Sequence, residues 1–217
     1  ELTALDSRGA GLAGDAAAKH HLARTDVLEK IVALIKPQER DPWIRQVADS
    51  LASAVQSGSD DTVAMNRLSV LEKQLEEHMR GSNLTAYVAF RRMQAEYSAR
   101  LAAPKADFNK IQEDWLSKLT GFVKAYPNAE DTPDAMLQLG MVSEFLGKDV
   151  EAKNWYTTLA RTHAGKPQGA KGEGAVLRLD LEGKTVRLAG PTLKDPSTAY
   201  DIDQLRGKVV VIYYWAS

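Results

Sequence analysis

The sequence feature that most constrains the fold is the apolar run from Lys208 to Ala216. It is rich in β-branched and aromatic residues, and it follows a turn signal at Arg206-Gly207. A run of this kind is typical of a strand that is buried on both faces in a parallel or mixed α/β sheet. Such a strand needs neighbours on both sides. Its place as the last element therefore predicts that the chain is cut within a larger fold.

The same residues carry a family resemblance. Leu205-Arg-Gly-Lys-Val-Val-Val-Ile-Tyr-Tyr-Trp-Ala-Ser217 resembles the first central strand of thioredoxin-like thiol–disulfide oxidoreductases of the bacterial cell envelope, the redoxins. In that family the Trp-Ala-Ser/Thr step, matched here by Trp215, Ala216 and Ser217, leads into Cys-x-x-Cys, and Tyr214 stands where Phe is frequent. The resemblance covers residues 175–217. The redox motif itself, expected shortly after Ser217, is absent.

The absence of cysteine sets the chemistry of this chain. Because the chain contains no cysteine, disulfides, thiolate metal sites and cysteine nucleophiles are excluded. His20 and His21 point about 100° apart on a helix, which makes them a poor pair for one metal ion. No metal and no cofactor are therefore predicted. A net charge of −1 gives no reason to expect nucleic acid or an anionic membrane as a partner, and no apolar run is long enough to span a bilayer.

Residues 15–182 have a helical pattern throughout, preceded by a Gly- and Ala-rich start at 1–14 that we expect to be flexible. Asp41-Pro42, Ser82-Asn83 and Thr132-Pro133 are helix start signals, with Asp41 expected to cap exposed amides. The segments are joined by short polar breaks. A stack of antiparallel helical hairpins is the economical packing for such a chain.

Residues 131–182 resemble the tetratricopeptide repeat. Small residues at Gly140 and Ala152, with an aromatic at Tyr156, fit a hairpin whose two helices approach closely. Gly174 falls one repeat of about 34 residues after Gly140, whereas Glu173 departs from the pattern. The fold class expected is mainly α, a tetratricopeptide-like solenoid.

The spacing of apolar residues changes from a helical period to strict alternation near residue 183. Residues 185–189 are predicted to form a half-buried strand and residues 198–202 a second short one. Residues 201–205 follow as one helical turn. We therefore predict a domain boundary near 183, with 183–217 as the N-terminal fragment of a thioredoxin-like domain, and we expect its Val209–Trp215 strand to pair with one of these strands or with a second molecule.

The candidate site residues fall in two groups. Tyr213, Tyr214, Trp215, Ala216 and Ser217 would flank the missing redox motif, where the resemblance implies a thiolate at a helix N-terminus. The alternative is an ordinary strand of another α/β domain.

The second group is a protein-binding groove lined by Trp115, Trp155 and Tyr156. Aromatics at helical spacing are more often interior packing, which is the alternative favoured here. Arg91 and Arg92 are interpreted as part of a solvated helix face.

Two functions remain open. The first is an N-terminal helical interaction domain joined to the start of a redoxin, non-catalytic in this fragment, exported to the bacterial envelope or periplasm, and facing a protein partner or its own redox domain. The second is a non-catalytic tetratricopeptide-like scaffold. The gene beyond the codon for Ser217 distinguishes them.

Overall fold

The computed structural model describes residues 1–58, 62–181 and 183–213, which are mostly helical. The helices in these ranges are α1 (Leu2–Arg8), α2 (Gly14–Leu34), α3 (Asp41–Ser57), α4 (Thr62–His78), α5 (Asn83–Ala102), α6 (Phe108–Ala125), α7 (Thr132–Phe145), α8 (Asp149–Thr162) and α9 (Pro167–Leu179). A two-stranded antiparallel sheet follows them. The prediction of a mainly helical chain with a small β segment is confirmed.

Local sequence signals set most of these helix ends. The Ser82 hydroxyl accepts a hydrogen bond from the Thr85 amide at 3.1 Å at the start of α5, and Asp107 caps α6 in the same way through the Lys110 amide. Asp41 does not act as the predicted cap. It is the first residue of α3, and its carboxylate pairs with Arg45 at 2.7 Å instead.

The N-terminal helix α1 is not predicted by the sequence. It lies against α2, where a ring nitrogen of His20 is 2.9 Å from the Leu5 carbonyl oxygen and Arg24 pairs with Asp6 at 2.8 Å. The flexibility of residues 1–14 stays a prediction. Leu2–Arg8 is helical, which the composition of this start, with glycines at 9, 11 and 14, does not predict.

Helix α5 is shared by the two hydrophobic cores of the molecule. Leu84, Val88 and Ala95 belong to a front core with α2, α3 and α4, whereas Phe90 and Met93 belong to a rear core with α6 and α7. At about 100° per residue these two sets lie on opposite sides of the helix, about 180° apart. Helix α5 therefore lies between the two cores and contributes buried side chains to both.

Consecutive helices pack against each other from α2 through α9, and α7 also contacts α9. The close approach of α7 and α8 at Gly140, expected from the repeat resemblance, is present in the structure. A side chain added at Gly140 would overlap the ring of Tyr156, which is itself buried. Glycine at this position therefore gives the Tyr156 ring its space.

The contact between α8 and α9 also depends on glycine. A Cβ at Gly172 would come within 2.9 Å of the Tyr156 carbonyl oxygen, a distance that real Cβ atoms essentially never show. An ion pair also links α9 to α7, because Arg178 of α9 reaches Glu144 of α7 at 2.7 Å. The hydroxyl of Tyr156 donates to the same carboxylate at 3.2 Å.

The C-terminal sheet is formed by β1 (Ala189–Pro191) and β2 (Ala199–Asp201), with Gly190 opposite Tyr200. The second strand and the helical turn after it (Ile202–Leu205) were predicted. The first strand lies C-terminal to its predicted position at 185–189. The Asp195 carboxylate explains this register: it accepts hydrogen bonds from the Ser197 amide at 3.0 Å and from the Thr198 hydroxyl at 2.7 Å, and so fixes the turn that aligns the strands.

The predicted central strand is wrong over its described part. Residues 209–213 form no strand, and they pair neither with 185–189 nor with 198–202. The physical reason is that a strand buried on both faces exists only with neighbours on both sides. Within the described residues, β1 and β2 pair only with each other and neither carries residues 209–213 on its outer edge, so this segment has no neighbour on either side.

The glycine contact at α8 and α9 leads to a mutational test. Gly172→Ala is expected to lower the free energy of unfolding by about 1–3 kcal/mol, since the added methyl group overpacks the helix contact. Gly174→Ala is the matched control, because this glycine lies two residues away, exposed, with nothing near its Cβ position. It should raise stability by about 0.5–1 kcal/mol through helix propensity. Urea unfolding measures both, and equal effects would contradict the packing argument.

Candidate functional site

The predicted residues around the redox motif are only partly within the described chain. Tyr213 is exposed, with 82% of its surface accessible, and it takes part in neither strand. Tyr214, Trp215, Ala216 and Ser217 lie outside the described residues. The role of this group stays a prediction.

The three aromatics of the predicted groove are not brought together on a surface. Trp115 and Tyr156 are buried, and Trp155 is half-buried against the rear core. The Trp115 ring stacks on Tyr97 of α5 at a centroid distance of 4.6 Å. These positions agree with interior packing. A binding role for the three residues stays untested.

The most concentrated group of polar side chains lies instead around Tyr87 of α5. Arg45 of α3 and Arg91 of α5 place their guanidinium carbons 4.6 and 4.3 Å from the centre of the Tyr87 ring. Both distances fit cation–π contacts with the ring. The Tyr87 hydroxyl donates to Asp49 of α3 at 2.6 Å. We call these four residues, with Asp41, Glu130 and Asp131, the Tyr87 cluster.

Each guanidinium of the Tyr87 cluster also reaches the turn before α7. Arg45 pairs with Glu130 at 3.0 Å, and Arg91 lies 3.8 Å from a carboxylate oxygen of Asp131. Arg91 additionally pairs with Asp49 at 3.1 Å. Two cations therefore meet four carboxylates here, and the cluster joins α3, α5 and the start of α7 across the boundary between the two cores.

Burial is the main influence on the pKa of two groups in this cluster. It raises the pKa of Asp131, a buried carboxyl, and this effect outweighs the attraction of Arg91. Burial, together with the hydrogen bond to Asp49, also raises the pKa of the Tyr87 hydroxyl. Tyr87 therefore stays a protonated donor at neutral pH. Both guanidinium groups are already paired with carboxylates, so the cluster serves to hold helices together.

A second ionic network lies on the other edge of α5. Arg92 pairs with Glu72 of α4 and, at 3.3 Å, with Glu96 of its own helix. Lys118 of α6 pairs with the same Glu96. The interpretation of Arg91 and Arg92 as a solvated face is therefore wrong. The signal that could have revealed it is the sequence of α5, which carries apolar residues on two opposite sides and so has no broad solvated face.

One open groove lies between α2, α3 and α4, with a volume of about 480 Å³. Its apolar lining includes Val32, Ile44 and Leu71. Arg67 at its rim is neutralised by Asp26 and Glu29, each at 2.8 Å. The groove is apolar and locally close to neutral, which suits packing against a protein surface better than binding a charged small molecule.

Residues 1–58, 62–181 and 183–213 contain neither a metal cluster nor a membrane-spanning helix. No group of three or more histidine and acidic side chains there is arranged to hold a metal ion. His20 and His21 pack edge to face, 5.6 Å apart. No helix in those ranges is both long and apolar enough to cross a bilayer.

Comparison with known proteins found no relatives: no protein family, curated protein or solved structure matches this chain.

The buried acid of the Tyr87 cluster gives a pH-dependent prediction. Because the pKa of Asp131 is raised in the folded state, the ionised carboxylate opposes folding at neutral pH, and this penalty fades as pH falls and the group is protonated. Asp131→Asn is therefore expected to raise stability at pH 7 by less than about 1 kcal/mol. The gain should vanish near pH 3.

Thermal or urea unfolding across this pH range is the measurement. Asp49→Asn is the control, since this more exposed acid accepts hydrogen bonds from Tyr87 and Arg91 and its loss should destabilise the protein at pH 7. A destabilised Asp131→Asn variant at pH 7 would show that the pairing with Arg91 outweighs the cost of burial.

Proposed function

We propose that this chain is a helical interaction domain joined to the first part of a thioredoxin-like thiol–disulfide oxidoreductase domain. The observation that carries the proposal is the sequence from Leu205 to Ser217. It has a turn signal, a run of β-branched and aromatic residues, and a Trp-Ala-Ser end. The order of structural elements before this segment also supports the proposal. A hairpin (β1 and β2) and one helical turn (Ile202–Leu205) precede this segment, as the redoxin resemblance implies.

The chemistry of the complete domain follows from the cysteines that the resemblance places after Ser217. The first cysteine, as thiolate at a helix N-terminus, attacks one sulfur of a substrate disulfide and releases the other as a thiolate. The second cysteine then attacks the mixed disulfide, so the substrate leaves reduced and the Cys-x-x-Cys pair is oxidised. A thiol reductant restores the pair. This chain has no cysteine and performs none of these steps.

The helical part would serve as the recognition element. In this proposal α2–α9 are a tetratricopeptide-like stack that faces a protein partner or the chain's own redox domain. The Gly140–Tyr156 contact and the packing of each helix on the next support such a stack. The groove lined by Val32, Ile44 and Leu71 is a surface suited to that role. Self-association through the C-terminal segment would be a further contact in this proposal.

The location in the proposal is the bacterial cell envelope, periplasmic or exported. It rests on the redoxin resemblance, in which thiol–disulfide exchange takes place outside the cytoplasm. The oxidising character of that compartment suits an enzyme that reduces or rearranges disulfides.

A second candidate function is a non-catalytic helical scaffold. The observation that favours it is that the described residues hold two helical cores and no buried residue between 183 and 213. In this version the C-terminal segment would serve only for assembly.

The gene beyond the codon for Ser217 tests the proposal. We expect a Cys-x-x-Cys within a few codons, and we expect the encoded protein to reduce insulin disulfides in the presence of dithiothreitol. Replacing the first cysteine by serine should abolish this activity. Deleting residues 15–182 should leave reduction of a small disulfide intact while slowing reduction of the protein substrate.

A reading frame without a cysteine pair would overturn the redoxin proposal and leave the scaffold. Retention of full activity on protein substrates without residues 15–182 would overturn the recognition role of the helices alone.

A further inference from the structure

Four exposed apolar side chains lie at one end of the helical stack. Phe108 begins α6, Met141 and Phe145 lie one turn apart near the end of α7, and Val150 is in the first turn of α8. They are 45%, 57%, 60% and 73% exposed, in that order. The rings of Phe108 and Phe145 pack edge to face at a centroid distance of 5.2 Å. We call these four residues the exit-end patch, because a group of large apolar side chains in solvent is typical of an interaction surface.

The chain leaves the helical stack at this same end. Two ion pairs place the end of α9 beside the end of α7 and the start of α8. Arg178, in the last turn of α9, pairs with Glu144, the residue before Phe145, at 2.7 Å. Asp180, directly after α9, pairs with Lys153 of α8. The interface that α9 forms with the two earlier helices therefore continues to the point where the C-terminal unit begins.

The segment that follows carries apolar side chains without cover. Val186 and Leu188 are 37% and 44% exposed, and they lie directly before β1. The Leu188 carbonyl accepts a hydrogen bond from the Ile202 amide at 2.9 Å, which extends the hairpin back to this residue. Side chains alternate along an extended segment, so Val186 and Leu188 share one side with Lys184, and Arg187 lies on the other side.

The two surfaces also carry opposite charges. Asp149 precedes Val150 in the first turn of α8, on the same side of the helix as Lys153 four residues later. Among the residues that the structure describes, neither Asp149 nor Lys184 has an ion-pair partner. A carboxylate therefore accompanies the exit-end patch, and an ammonium group accompanies the apolar side of the segment before β1.

We infer that the C-terminal unit docks on the exit-end patch through the side of its first segment that carries Lys184, Val186 and Leu188. In the docked state the two aliphatic side chains cover the patch, and Lys184 pairs with Asp149.

The short connection selects the chain's own C-terminal unit as the partner. Lys184 follows Asp180 by four residues, and four residues span at most about 14 Å. The two surfaces are therefore held close together from the start. A short connection of this kind gives an effective concentration on the order of millimolar, which favours this partner over a separate molecule in dilute solution.

The inference rests on the proposed function in one respect, because it names the chain's own redox unit, and not a separate protein, as what this end of the helices faces. The two fail independently. Docking is measured in this chain, whereas the redox proposal depends on a cysteine pair encoded after Ser217.

Carbodiimide coupling tests the ion pair directly, since it joins an amine to a carboxylate that is in contact with it. We expect an amide between Lys184 and Asp149, identified by mass spectrometry of the digested chain. Glu151 is the matched control. It lies two residues further along α8, about 200° around the helix, and should link far less.

Mixing isotope-labelled with unlabelled chain before coupling identifies the source of each link. Linked peptides that carry a single label come from within one chain, as we expect. Links of mixed label would show a second copy as the partner and overturn the inference. The absence of a link between Lys184 and Asp149 would overturn it as well.

Tryptic cleavage after Arg187 measures how well the segment is covered, because proteolysis tracks the fraction of molecules in the open state. Phe145→Ser should speed this cleavage by about tenfold, since docking loses apolar cover. Val70→Ser is the control, because Val70 is exposed to a similar extent, 56%, but lies on α4. It should leave the rate unchanged.

Urea unfolding of both variants checks that the helical stack is intact. Equal cleavage rates for Phe145→Ser and Val70→Ser would overturn the docking. If Phe145→Ser fails to fold, Lys184→Gln gives the same test, because this exposed residue lies outside both cores and its replacement should also speed cleavage after Arg187.

Discussion

The structure depends on the burial of α5 on two opposite sides. A helix that contributes Val88 to one core and Phe90 to another must have partners on both sides before either core is complete. Its alanines help, because Ala86, Ala89 and Ala95 are all buried and let neighbouring helices come close. The remaining two edges of α5 are then the positions where polar side chains can reach solvent.

The two ionic networks occupy those edges. Tyr87 and Arg91 lie on the edge that faces α3 and the start of α7, whereas Arg92 and Glu96 lie on the edge that faces α4 and α6. Side chains that are a quarter exposed keep part of their hydration, so such pairs stabilise modestly and contribute more to geometry than to energy. They connect helices of the front core to helices of the rear core, as Arg45–Glu130 and Lys118–Glu96 do.

The features that could be predicted from the sequence are those that depend on interactions between residues close together in the chain. Helices α2–α9 could be placed from sequence because Pro42, Ser82, Pro133 and similar residues act within one helical turn. The contact of Gly140 with Tyr156 was expected from the tetratricopeptide resemblance, and it has a physical reason: glycine inside a helix costs stability, which a close approach by a neighbouring side chain offsets. Ion pairs such as Arg45–Glu130 could not be anticipated, since their partners lie 85 residues apart and nothing local selects them.

The predicted strand at the C-terminus shows the converse case, in which the local signal was strong and the structure did not follow it. Val209–Ile212 has high strand propensity, but propensity in strands expresses packing against neighbours, and none is present for it among the described residues. The adjacent hairpin is only three residues per strand, and isolated ribbons of that size are marginal in water.

No residue from 183 to 213 is buried, so this unit has no core of its own in the described structure. Its apolar side chains gain their stabilisation only when another surface covers them. A redox domain, a second copy of the chain and a scaffold assembly all supply such a surface. The helical part needs none of them, because its two cores are already closed around α5.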